Sequence, residues 1–572
     1  MKPDIINTKI VRKIEDLKDM IEQSSKLYSN RYAFHLQISN GTGRKISYSE
    51  FKKDINALGT AFHSLGLKNK RIAVLGENRY EWCVTYLAAV NGTGTIVPLD
   101  KELPVHELEH LINKAEISAI IVSEKYLEKI NQITTSNVKY FINMDAKSDS
   151  GEILSYKLLQ EKGAFLVENG DESFTEAKID RDKMNILIFT SGTTDHAKGV
   201  MLSHKNICSN IMAVCSVISV SHKDSVLSIL PLHHTYECTC GFLAIVYNGA
   251  MITFNDNLKN IAKNLKEVKP TILIIVPLIL ENMYKKIKEQ INKDIKTKIL
   301  FKCAILISKL IYSISNIDFK KKLFKRIYEN LGGRIRFIIS GAAAIEENTV
   351  KGYRELGIIV LQGYGLTECS PIVTVNREHS FSDNSIGHPL PGVEIKIDSP
   401  DSNDIGEIVV KGNNVMLGYY DNPIATKKVL VDGWLYTGDL ARIDKYGHIY
   451  ITGRKKNVIV TKNGKNIFPE EVEAYLNRSK FIRESFVYGL DEKQFDDVSV
   501  CAQIIPDIDA IRQYFQKENL SSEEIHNIIN AEVKKVNKSM PMYKKVYHFS
   551  IREEEFIKTT TQKIKRYEQK IS

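Results

Sequence analysis

The chain has 572 residues, of which 43% are hydrophobic and 26% are charged. These proportions are typical of folded globular proteins and exclude a disordered or collagen-like chain. The net charge is +10, but residues 284–328 alone hold 13 Lys and Arg against 3 Asp and Glu. The rest of the chain is neutral overall, which argues against a diffuse nucleic-acid-binding surface.

The N-terminus alternates charged and apolar residues, which is not the pattern of a secretory signal. The longest apolar run, at about Pro270–Leu280, is shorter than the ~20 residues that a membrane-spanning helix needs. The eight cysteines form no C-x-x-C pair, and most have apolar neighbours, as is typical of reduced, buried thiols. We therefore expect a cytoplasmic protein, in which any membrane contact is peripheral, at the inner face of the membrane.

Segments of helical periodicity alternate with β-branched apolar segments in the first part of the chain. Helices are predicted at Tyr48–Leu65 and Val105–Ala115. Strands are predicted at Arg71–Leu75, Ser118–Val122, Asn185–Phe189, Thr271–Val276 and Arg336–Ser340. This alternation predicts an α/β fold.

After about Pro391 the pattern changes to short strands separated by turns, and from about Arg454 strands mix with charged helices. We predict a large N-terminal domain of layered α/β subdomains with a small β-rich section, residues 1–453. A small α+β C-terminal domain is predicted at residues 454–572.

A polar loop, T-S-G-T-T-D-H-A-K-G at residues 190–199, follows the strand predicted at Asn185–Phe189. Hydroxyl groups, accessible backbone amides and a lysine are the groups that bind polyphosphates. The spacing differs from the P-loop pattern G-x-x-x-x-G-K-[ST]. The residues alone leave two interpretations open, a nucleotide-binding loop or an ordinary polar connection.

The loop resembles the signature T-S-G-T-T-G-x-P-K-G of the AMP-forming adenylating enzymes, which include acyl-CoA synthetases, peptide-synthetase adenylation domains and luciferases. Asp195 stands where the family usually has glycine, and Ala197 where it has proline. The resemblance implies that the loop binds the phosphates of ATP. The residues implied are Thr190, Ser191, Gly192, Thr193, Thr194 and Lys198.

Two further motifs of this family follow in order. The segment S-G-A-A-A at residues 340–344 resembles the adenine-side segment, and Q-G-Y-G-L-T-E at residues 362–368 resembles G-Y-G-x-T-E. The resemblance implies that Thr367 meets the α-phosphate as a catalytic residue and that Glu368 binds Mg²⁺. The residues implied to border the nucleotide are Gly341, Ala342, Ala343, Gly363, Tyr364 and Gly365.

The family's ribose and hinge motifs lie further along the chain. W-L-Y-T-G-D-L at residues 434–440 resembles W-x-x-T-G-D, which implies that Asp439 binds the ribose hydroxyls. G-R-K-K-N at residues 453–457 resembles G-R-x-K-D, with Asn457 in place of the common aspartate. The resemblance implies that Arg454 reaches the ribose and phosphate and that Lys456 lies at the family's hinge.

Two motifs near the C-terminus complete the resemblance. Residues 463–473 resemble G-x-N-I-x-P-x-E-I-E, which implies that Gly464 lines the tunnel for the pantetheine arm of CoA. Residues 558–566 resemble P-K-T-x-T-G-K-I-x-R, which implies that Lys563 is the catalytic lysine. Here Ile557 replaces proline and Gln562 replaces glycine.

The acid-binding side is indicated by P-L-H-H at residues 231–234, which resembles the family's P-L-x-H. The resemblance implies that His234 lies near the substrate carboxylate, while His233 is expected to be structural. The residues that follow, Cys238–Val246, are small or apolar. They suit an acyl chain better than an amino acid, whose buried ammonium group would need an acidic partner.

The resemblance covers nearly the whole chain and is nearest to bacterial long-chain fatty acid–CoA ligases. It implies that ATP and Mg²⁺ activate a fatty acid, expected to be long-chain, to acyl-AMP with release of pyrophosphate. CoA then takes the acyl group, and the mobile C-terminal domain rotates between the two half-reactions. Two alternatives stay open: transfer to the phosphopantetheine of a carrier protein, and a non-catalytic nucleotide- and lipid-binding protein, suggested by Asp195, Ala197 and Gln562.

The basic segment at residues 284–328 lies outside every motif. One interpretation is a helical hairpin whose apolar face joins the core and whose lysine stems cover its rim. The other is a peripheral patch for anionic membranes, into which long-chain acids partition.

Overall fold

The computed structural model describes residues 8–36, 43–190, 197–315, 319–378, 380–460, 466–491, 498–558 and 564–569. These residues form two compact units. Unit 1 lies within Met1–Glu394 and Val410–Leu435, and unit 2 lies within Ile395–Val409 and Tyr436–Thr559, with residues 564–569. Compactness does not test which parts of the chain move as domains, so the boundary predicted between residues 453 and 454 stays a prediction.

The helices of the described residues are α1 Leu17–Leu27, α2 Tyr48–Ser64, α3 Tyr80–Ala88, α4 Val105–Lys114, α5 Glu124–Asn131, α6 Tyr156–Glu168, α7 His204–Val217, α8 Ala244–Tyr247, α9 Ile261–Val268, α10 Pro277–Ile291, α11 Ile295–Ser315, α12 Lys320–Leu323, α13 Lys325–Asn330, α14 Glu347–Glu355, α15 Pro423–Val429, α16 Pro469–Leu476, α17 Ile508–Phe515 and α18 Ser522–Lys538. Short π-helical turns at Ala89–Thr93 and Glu237–Leu243 follow α3 and precede α8.

The strands of the same residues are β1 Tyr32–Leu36, β2 Arg44–Ser47, β3 Lys70–Leu75, β4 Gly94–Pro98, β5 Ala119–Val122, β6 Tyr140–Asn143, β7 Ile153–Ser155, β8 Met184–Thr190, β9 Lys198–Ser203, β10 Ser225–Ser228, β11 Met251–Phe254, β12 Ile272–Ile275, β13 Phe337–Ser340, β14 Ile359–Gly365, β15 Ile372–Val375, β16 His388–Pro389, β17 Val393–Asp398, β18 Gly406–Gly412, β19 Gly418–Tyr419, β20 Leu430–Val431, β21 Trp434–Ile443, β22 Ile449–Arg454, β23 Ile459–Val460, β24 Asn466–Ile467, β25 Ile482–Asp491, β26 Val498–Pro506 and β27 His548–Ile551.

Unit 1 is built on two large mixed sheets. One has eight strands in the order β19-β9-β8-β4-β3-β5-β6-β7, and the other has nine in the order β16-β15-β14-β13-β12-β10-β11-β1-β2. Central neighbours such as β3 and β5, or β13 and β14, run parallel, whereas β9 joins β8 and β15 joins β14 antiparallel. The predicted α/β fold is confirmed.

The predicted elements form because burial and capping agree with their local pattern. The helix predicted at Tyr48–Leu65 is α2, whose N-cap Ser47 accepts a hydrogen bond from the Glu50 amide. The strand predicted at Ser118–Val122 is β5, in which every residue is buried. An apolar strand without alternation is typical of a parallel sheet that is covered on both faces.

The nine-stranded sheet places the ends of three parallel strands at one edge. Ile275 of β12 and Gln362 of β14 lie on either side of Ser340, the last residue of β13. In open α/β sheets, ligands bind where the chain leaves the carboxyl ends of the strands. The segments that follow Ser340 and Gln362 are therefore placed to share one site.

Unit 2 contains most of β17, β18 and β21, together with β22–β27 and α16–α18. Strands β25 and β26 pair antiparallel, and β27 joins β26 in parallel. Its core packs these strands against α16 and α18 through residues such as Val472, Leu476, Val487, Ile504 and Ile529.

The cysteines are free thiols, and seven of the eight are buried. The exposed one is Cys303, which lies on α11. Within the described ranges, no helix combines the length and the apolar character that crossing a bilayer requires.

Candidate active site

Thr190 and Lys198 frame the polar loop from two paired strands. Thr190 ends β8, Lys198 begins β9, and the two residues lie opposite each other in the ladder. The Thr190 hydroxyl donates a hydrogen bond of 3.4 Å to the Lys198 carbonyl oxygen. Ser191, Gly192, Thr193 and Thr194, like Asp195, lie outside the described residues. Their phosphate contacts stay predictions.

Tyr419 connects the loop lysine to the predicted magnesium ligand. The Lys198 Nζ lies 4.9 Å from the centroid of the Tyr419 ring, and the Tyr419 hydroxyl donates a hydrogen bond of 2.8 Å to Oε1 of Glu368. Burial, reinforced by the Glu368 carboxylate, raises the pKa of the Tyr419 hydroxyl well above its ordinary value. Tyr419 therefore remains a hydrogen-bond donor to Glu368 at any physiological pH.

Tyr419 could not be predicted from the sequence, because it belongs to none of the matched motifs. Its strand, β19, has only two residues, and Tyr419 pairs with Val200 of β9. The Met416 amide donates to the Glu368 carbonyl oxygen at 2.8 Å, which fixes the approach to β19. Only this pairing reveals the residue, because a two-residue strand has no periodic signal.

The surroundings of Glu368 fit a Mg²⁺ ion that arrives with a nucleotide. Glu368 is partly exposed, and the hydrogen bond from Tyr419 leaves carboxylate lone pairs for a hard cation. Mg²⁺ is usually held by one or two carboxylates together with phosphates and water. In the described part of the chain, no group of three or more His, Cys, Asp or Glu side chains could hold a metal by itself. The metal role of Glu368 stays a prediction.

The two predicted adenine segments lie next to each other. Ser340 pairs with Gln362, so Gly341, Ala342 and Ala343 leave the sheet beside Gly363, Tyr364 and Gly365. At Gly365, a Cβ would lie 2.0 Å from the Pro371 carbonyl oxygen, so only glycine fits there. The structure brings these residues together, and their contacts with a nucleotide stay predictions.

His234 and Thr367 belong to the same region of unit 1. The hydroxyl oxygen of Thr235, the residue after His234, lies 3.3 Å from that of Thr367. The His234 and His233 rings are 4.4 Å apart between centroids. The catalytic roles of His234 and Thr367 stay predictions, but the contact between their segments agrees with them.

Two acids outside every matched motif, Asp100 and Glu281, support these segments. Oδ1 of Asp100 lies 3.5 Å from Nε2 of the buried His233. Although burial favours the neutral acid, the nearby His233 ring and the hydrogen bond from the Glu102 amide hold the pKa of Asp100 well below its usual range. On α10, Oε1 of Glu281 accepts a hydrogen bond of 3.0 Å from the Glu346 amide, where the loop after β13 ends.

In unit 2, Asp439 and Arg454 form an ion pair. They lie opposite each other on β21 and β22, and the Arg454 Nε is 2.8 Å from Oδ1 of Asp439. Asp439 is buried, while Arg454 is exposed. The preceding residue, Gly438, lies within β21 at φ +75°, and its amide donates a hydrogen bond of 2.9 Å to Oε1 of Glu407. A carboxylate held in this way suits ribose hydroxyls, and that contact stays a prediction.

Of the three remaining residues predicted for unit 2, only Lys456 lies among the described residues. Lys456 is exposed on a 3₁₀ turn directly after β22. Gly464 and Lys563 lie outside the described residues. The described residues that flank the Lys563 segment, Lys558 and Ile564, form an antiparallel bridge. The roles of Lys456, Gly464 and Lys563 stay predictions.

An apolar pocket borders the adenine segments in unit 1. Its lining includes Cys240, Ala244 and Ile245 from the predicted acyl-binding segment and residues of three adjacent strands, among them Ile274, Ile339 and Gly363. Gly363 belongs both to this pocket and to the predicted nucleotide segment. The pocket and the predicted nucleotide site therefore meet at the end of β14.

The structure thus shows an α/β protein in which the strands that flank the predicted nucleotide loop, the predicted cation ligand Glu368 and an apolar pocket all belong to unit 1. The AMP-binding enzyme family matches residues 21–420. The chain therefore belongs to the AMP-binding enzymes, as the motifs predict.

Individual relatives agree with this assignment. The chain is 30% identical to long-chain-fatty-acid–CoA ligase 5 of Rattus norvegicus over 503 residues, which are 82% of this chain and 72% of the relative. It is 30% identical to long-chain-fatty-acid–CoA ligase 6 of Homo sapiens over 522 residues, 86% of this chain and 74% of the relative. The anthranilate CoA ligase AuaEII, crystallised with anthranoyl-AMP, shares the fold with a TM-score of 0.76 and 19% identity, over 99% of this chain and 98% of that one.

Proposed function

We propose that this protein joins a fatty acid, expected to be long-chain, to CoA through an acyl-AMP intermediate. The observation that carries the proposal is the apolar pocket that meets the predicted nucleotide site at Gly363. The names of the relatives at 30% identity support the same acid class. At this identity the acid and the acceptor thiol are proposals for this chain.

In the first half-reaction the fatty-acid carboxylate attacks the α-phosphorus of ATP, and pyrophosphate leaves. The carboxylate is ionised at neutral pH, since its pKa is about 4.3, so no general base is needed. The barrier is the approach of two anions, and positive charge lowers it. We assign this charge to Lys198 and Lys563, with Thr367 at the α-phosphate and His234 near the acid. Mg²⁺ on Glu368 would supply further charge neutralisation when bound with ATP.

In the second half-reaction the CoA thiol attacks the acyl carbonyl of acyl-AMP, and AMP leaves. Asp439 and Arg454 are proposed to hold the ribose in both steps. Residues 454–572 are proposed to act as the mobile domain, with Lys456 at the hinge and Gly464 beside the pantetheine arm. The contact with anionic membranes that the sequence predicts for residues 284–328 is a separate proposal.

The size of the pocket limits how a fatty acid could bind in it. Its free volume is about 30 Å³, which is room for a water molecule and not for a fatty acid. An acyl chain must therefore displace lining side chains as it enters. Lining residues without a polar end, such as Ile245 and Ile274, favour an acyl chain over an amino acid.

Pyrophosphate release across a panel of acids, with and without CoA, tests the proposal. We expect release with long-chain fatty acids, weaker release with short acids, and multiple turnovers only with CoA. Turnover with a phosphopantetheinylated carrier protein and not with CoA would favour the carrier alternative. The absence of pyrophosphate with every acid, in a protein that still binds ATP, would favour the non-catalytic alternative. Glu368→Gln is the control for release by a contaminant.

A further inference from the structure

Helix α11 exposes an apolar stripe along the surface of unit 1. The helix has 21 residues and is therefore about 31 Å long. Eight large apolar residues of α11 have between 49% and 78% of their surface exposed, and besides Ile295 and Tyr312 these are the six that form the stripe: Ile299, Leu300, Leu306, Ile307, Leu310 and Ile314. At about 100° per residue the six stripe residues fall within one arc of the helix roughly 120° wide. Monomeric proteins rarely expose such a continuous apolar face without a function.

The opposite face of α11 explains how the helix is held. Phe301, Ala304 and Ile305 pack against the apolar cluster that contains Leu280 and Phe324, and Ser308 on the same face is 1% exposed. The Phe301 and Phe324 ring centroids are 5.2 Å apart. One face of α11 thus packs against the core of unit 1. The apolar stripe on the other face is not needed for that packing.

A row of lysines borders the stripe. Lys298, Lys302 and Lys309 are exposed and fall along one flank of α11, beside the apolar arc. The Lys309 Nζ also lies 3.9 Å from Oε1 of Glu355. The neighbouring helices α10, α12 and α13 add further exposed lysines, which gives residues 284–328 their 13 Lys and Arg against 3 Asp and Glu. An apolar face with a basic flank is the pattern of a helix that lies in the interface of an anionic bilayer.

We propose that the outward face of α11 docks on the surface of an anionic lipid bilayer. In this geometry the six apolar side chains enter the boundary between headgroups and acyl chains, and the flanking lysines contact lipid phosphates. With four lysines among its 21 residues, α11 is not apolar enough to cross the bilayer, so the proposed contact is at the surface. This surface is distinct from the candidate active site, and the proposal does not depend on the acyl-ligase activity.

Charge decides between a bilayer and a second copy of the chain. A symmetric dimer through α11 would bring two segments of strong positive charge against each other, which opposes association. An anionic bilayer offers the opposite charge and an apolar layer at the same time. Nucleic acid would match the charge but offers no apolar layer for the stripe.

Co-sedimentation of the full-length protein with lipid vesicles tests this proposal. The vesicles contain phosphatidylcholine alone or a mixture of phosphatidylcholine and phosphatidylglycerol, at about 0.05 M and about 0.5 M NaCl. We expect the protein to pellet with the anionic vesicles at low salt and to remain largely in solution at high salt. We expect little binding to phosphatidylcholine alone.

Two double variants separate the apolar and basic contributions. Leu306→Gln/Leu310→Gln is expected to weaken binding to anionic vesicles by about tenfold or more, because two apolar side chains no longer enter the bilayer. Lys298→Gln/Lys302→Gln is expected to weaken binding at low salt and to reduce its salt dependence. The matched control, Ile424→Gln/Lys427→Gln, changes one apolar and one basic exposed residue of α15 and should bind like the unaltered protein.

Circular dichroism checks that each variant is folded, and the single variants Leu306→Gln and Leu310→Gln provide the same test with a smaller change. The proposal is overturned if the protein does not bind anionic vesicles, or if the α11 variants bind as well as the α15 control. It is also overturned if sedimentation velocity shows a dimer that the leucine variants dissociate, because a second copy would then cover the stripe.

Discussion

Glu237 shows how burial sets the protonation state of a single side chain. The residue is 1% exposed, Ser228 donates a hydrogen bond of 2.6 Å to Oε1, and Oε2 has no hydrogen-bond partner among the described residues. Burial raises the pKa of this carboxyl from an ordinary 4.5 to about 8. Glu237 is therefore neutral in the folded protein at pH 7, and it is ionised when the chain unfolds.

This difference predicts a pH dependence of stability. Between about pH 4.5 and pH 8 the folded protein keeps a proton that the unfolded chain releases, so Glu237 makes folding less favourable as the pH rises. Glu237→Gln keeps the shape and removes the titration. We expect its melting temperature to match that of the unaltered protein near pH 5 and to exceed it by about 3 °C or more at pH 8.

The control for this prediction is Glu267→Gln, which removes an exposed carboxylate from α9. Melting temperatures that change in parallel with pH for the unaltered protein and Glu237→Gln would contradict the prediction.

Tyr419→Phe tests the connection between Lys198 and Glu368. The variant keeps the ring beneath Lys198 and loses the hydroxyl that holds Glu368. A hydrogen bond to a charged group contributes about 1.5–3 kcal/mol, and 1.4 kcal/mol is tenfold. We expect half-maximal pyrophosphate release to need about tenfold more Mg²⁺. Tyr420→Phe, whose ring contacts Arg71 at 5.0 Å, is the matched control. An unchanged Mg²⁺ requirement would remove Tyr419 from the site.

At the scale of elements, strand pairing brings together motifs that are far apart in the chain. Asp439 meets Arg454 across β21 and β22, and Gly341 leaves the sheet beside Gly363 because β13 and β14 are neighbours. Pairing also explains which parts of the site the sequence could predict. The motifs and the strands are each recognisable from a short stretch of sequence, so both could be predicted.

Other features of the site and surface had no local signal. Tyr419 on its two-residue strand and the contact between Thr235 and Thr367 depend on the tertiary fold. The sequence of α11 is apolar around most of the helix. It therefore could not predict which face the core covers. The sequence offered a core-facing hairpin and a lipid-facing patch as alternatives, and the structure shows a covered face and an exposed face on the same helix.

Arg566 connects helix α16 and strand β25 of unit 2, which are apart in the chain. Its Nη2 lies 2.6 Å and 2.5 Å from the carboxylate oxygens of Glu473 on α16, and its Nη1 donates to the Val487 carbonyl oxygen of β25 at 3.0 Å. Arg566→Ala leaves the largely buried Glu473 without its cationic partner and with only the Val487 amide at 2.7 Å, and we expect a loss of about 3 kcal/mol in the stability of unit 2. Hydrogen exchange of the β25 amides measures this loss.

The neighbouring variant Lys565→Ala is the control. Lys565 pairs with Glu568 at 3.0 Å, three residues away in the chain. Its loss should cost about 1 kcal/mol or less, because the pair is local in the chain and both side chains are partly exposed to water. Equal exchange rates in the two variants would contradict the importance of the Arg566 pair.

At the scale of the whole molecule, the residues proposed for one reaction are divided between two compact units. Lys198, Thr367 and Glu368 belong to unit 1, whereas Asp439 and Arg454 belong to unit 2. If the two half-reactions use different parts of the chain, single substitutions should separate them.

Lys563→Ala provides that separation. We expect it to abolish formation of acyl-AMP, because the charge that balances the α-phosphate is lost, and to retain conversion of supplied acyl-AMP to the CoA thioester. Pyrophosphate release and thioester formation are measured separately, with Lys565→Ala as the control in the same segment. Full adenylation by Lys563→Ala would refute the role given to this lysine.

The distribution of the cysteines gives the protein a chemical handle. Burial raises the pKa of the Cys215 and Cys238 thiols to about 12, which keeps them as unreactive thiols, and seven of the eight cysteines are shielded from reagents. Cys303 is the exposed one, on α11. A maleimide reagent should therefore label the native chain at one position without any substitution. A fluorophore or spin label attached there would report the polarity around α11 directly.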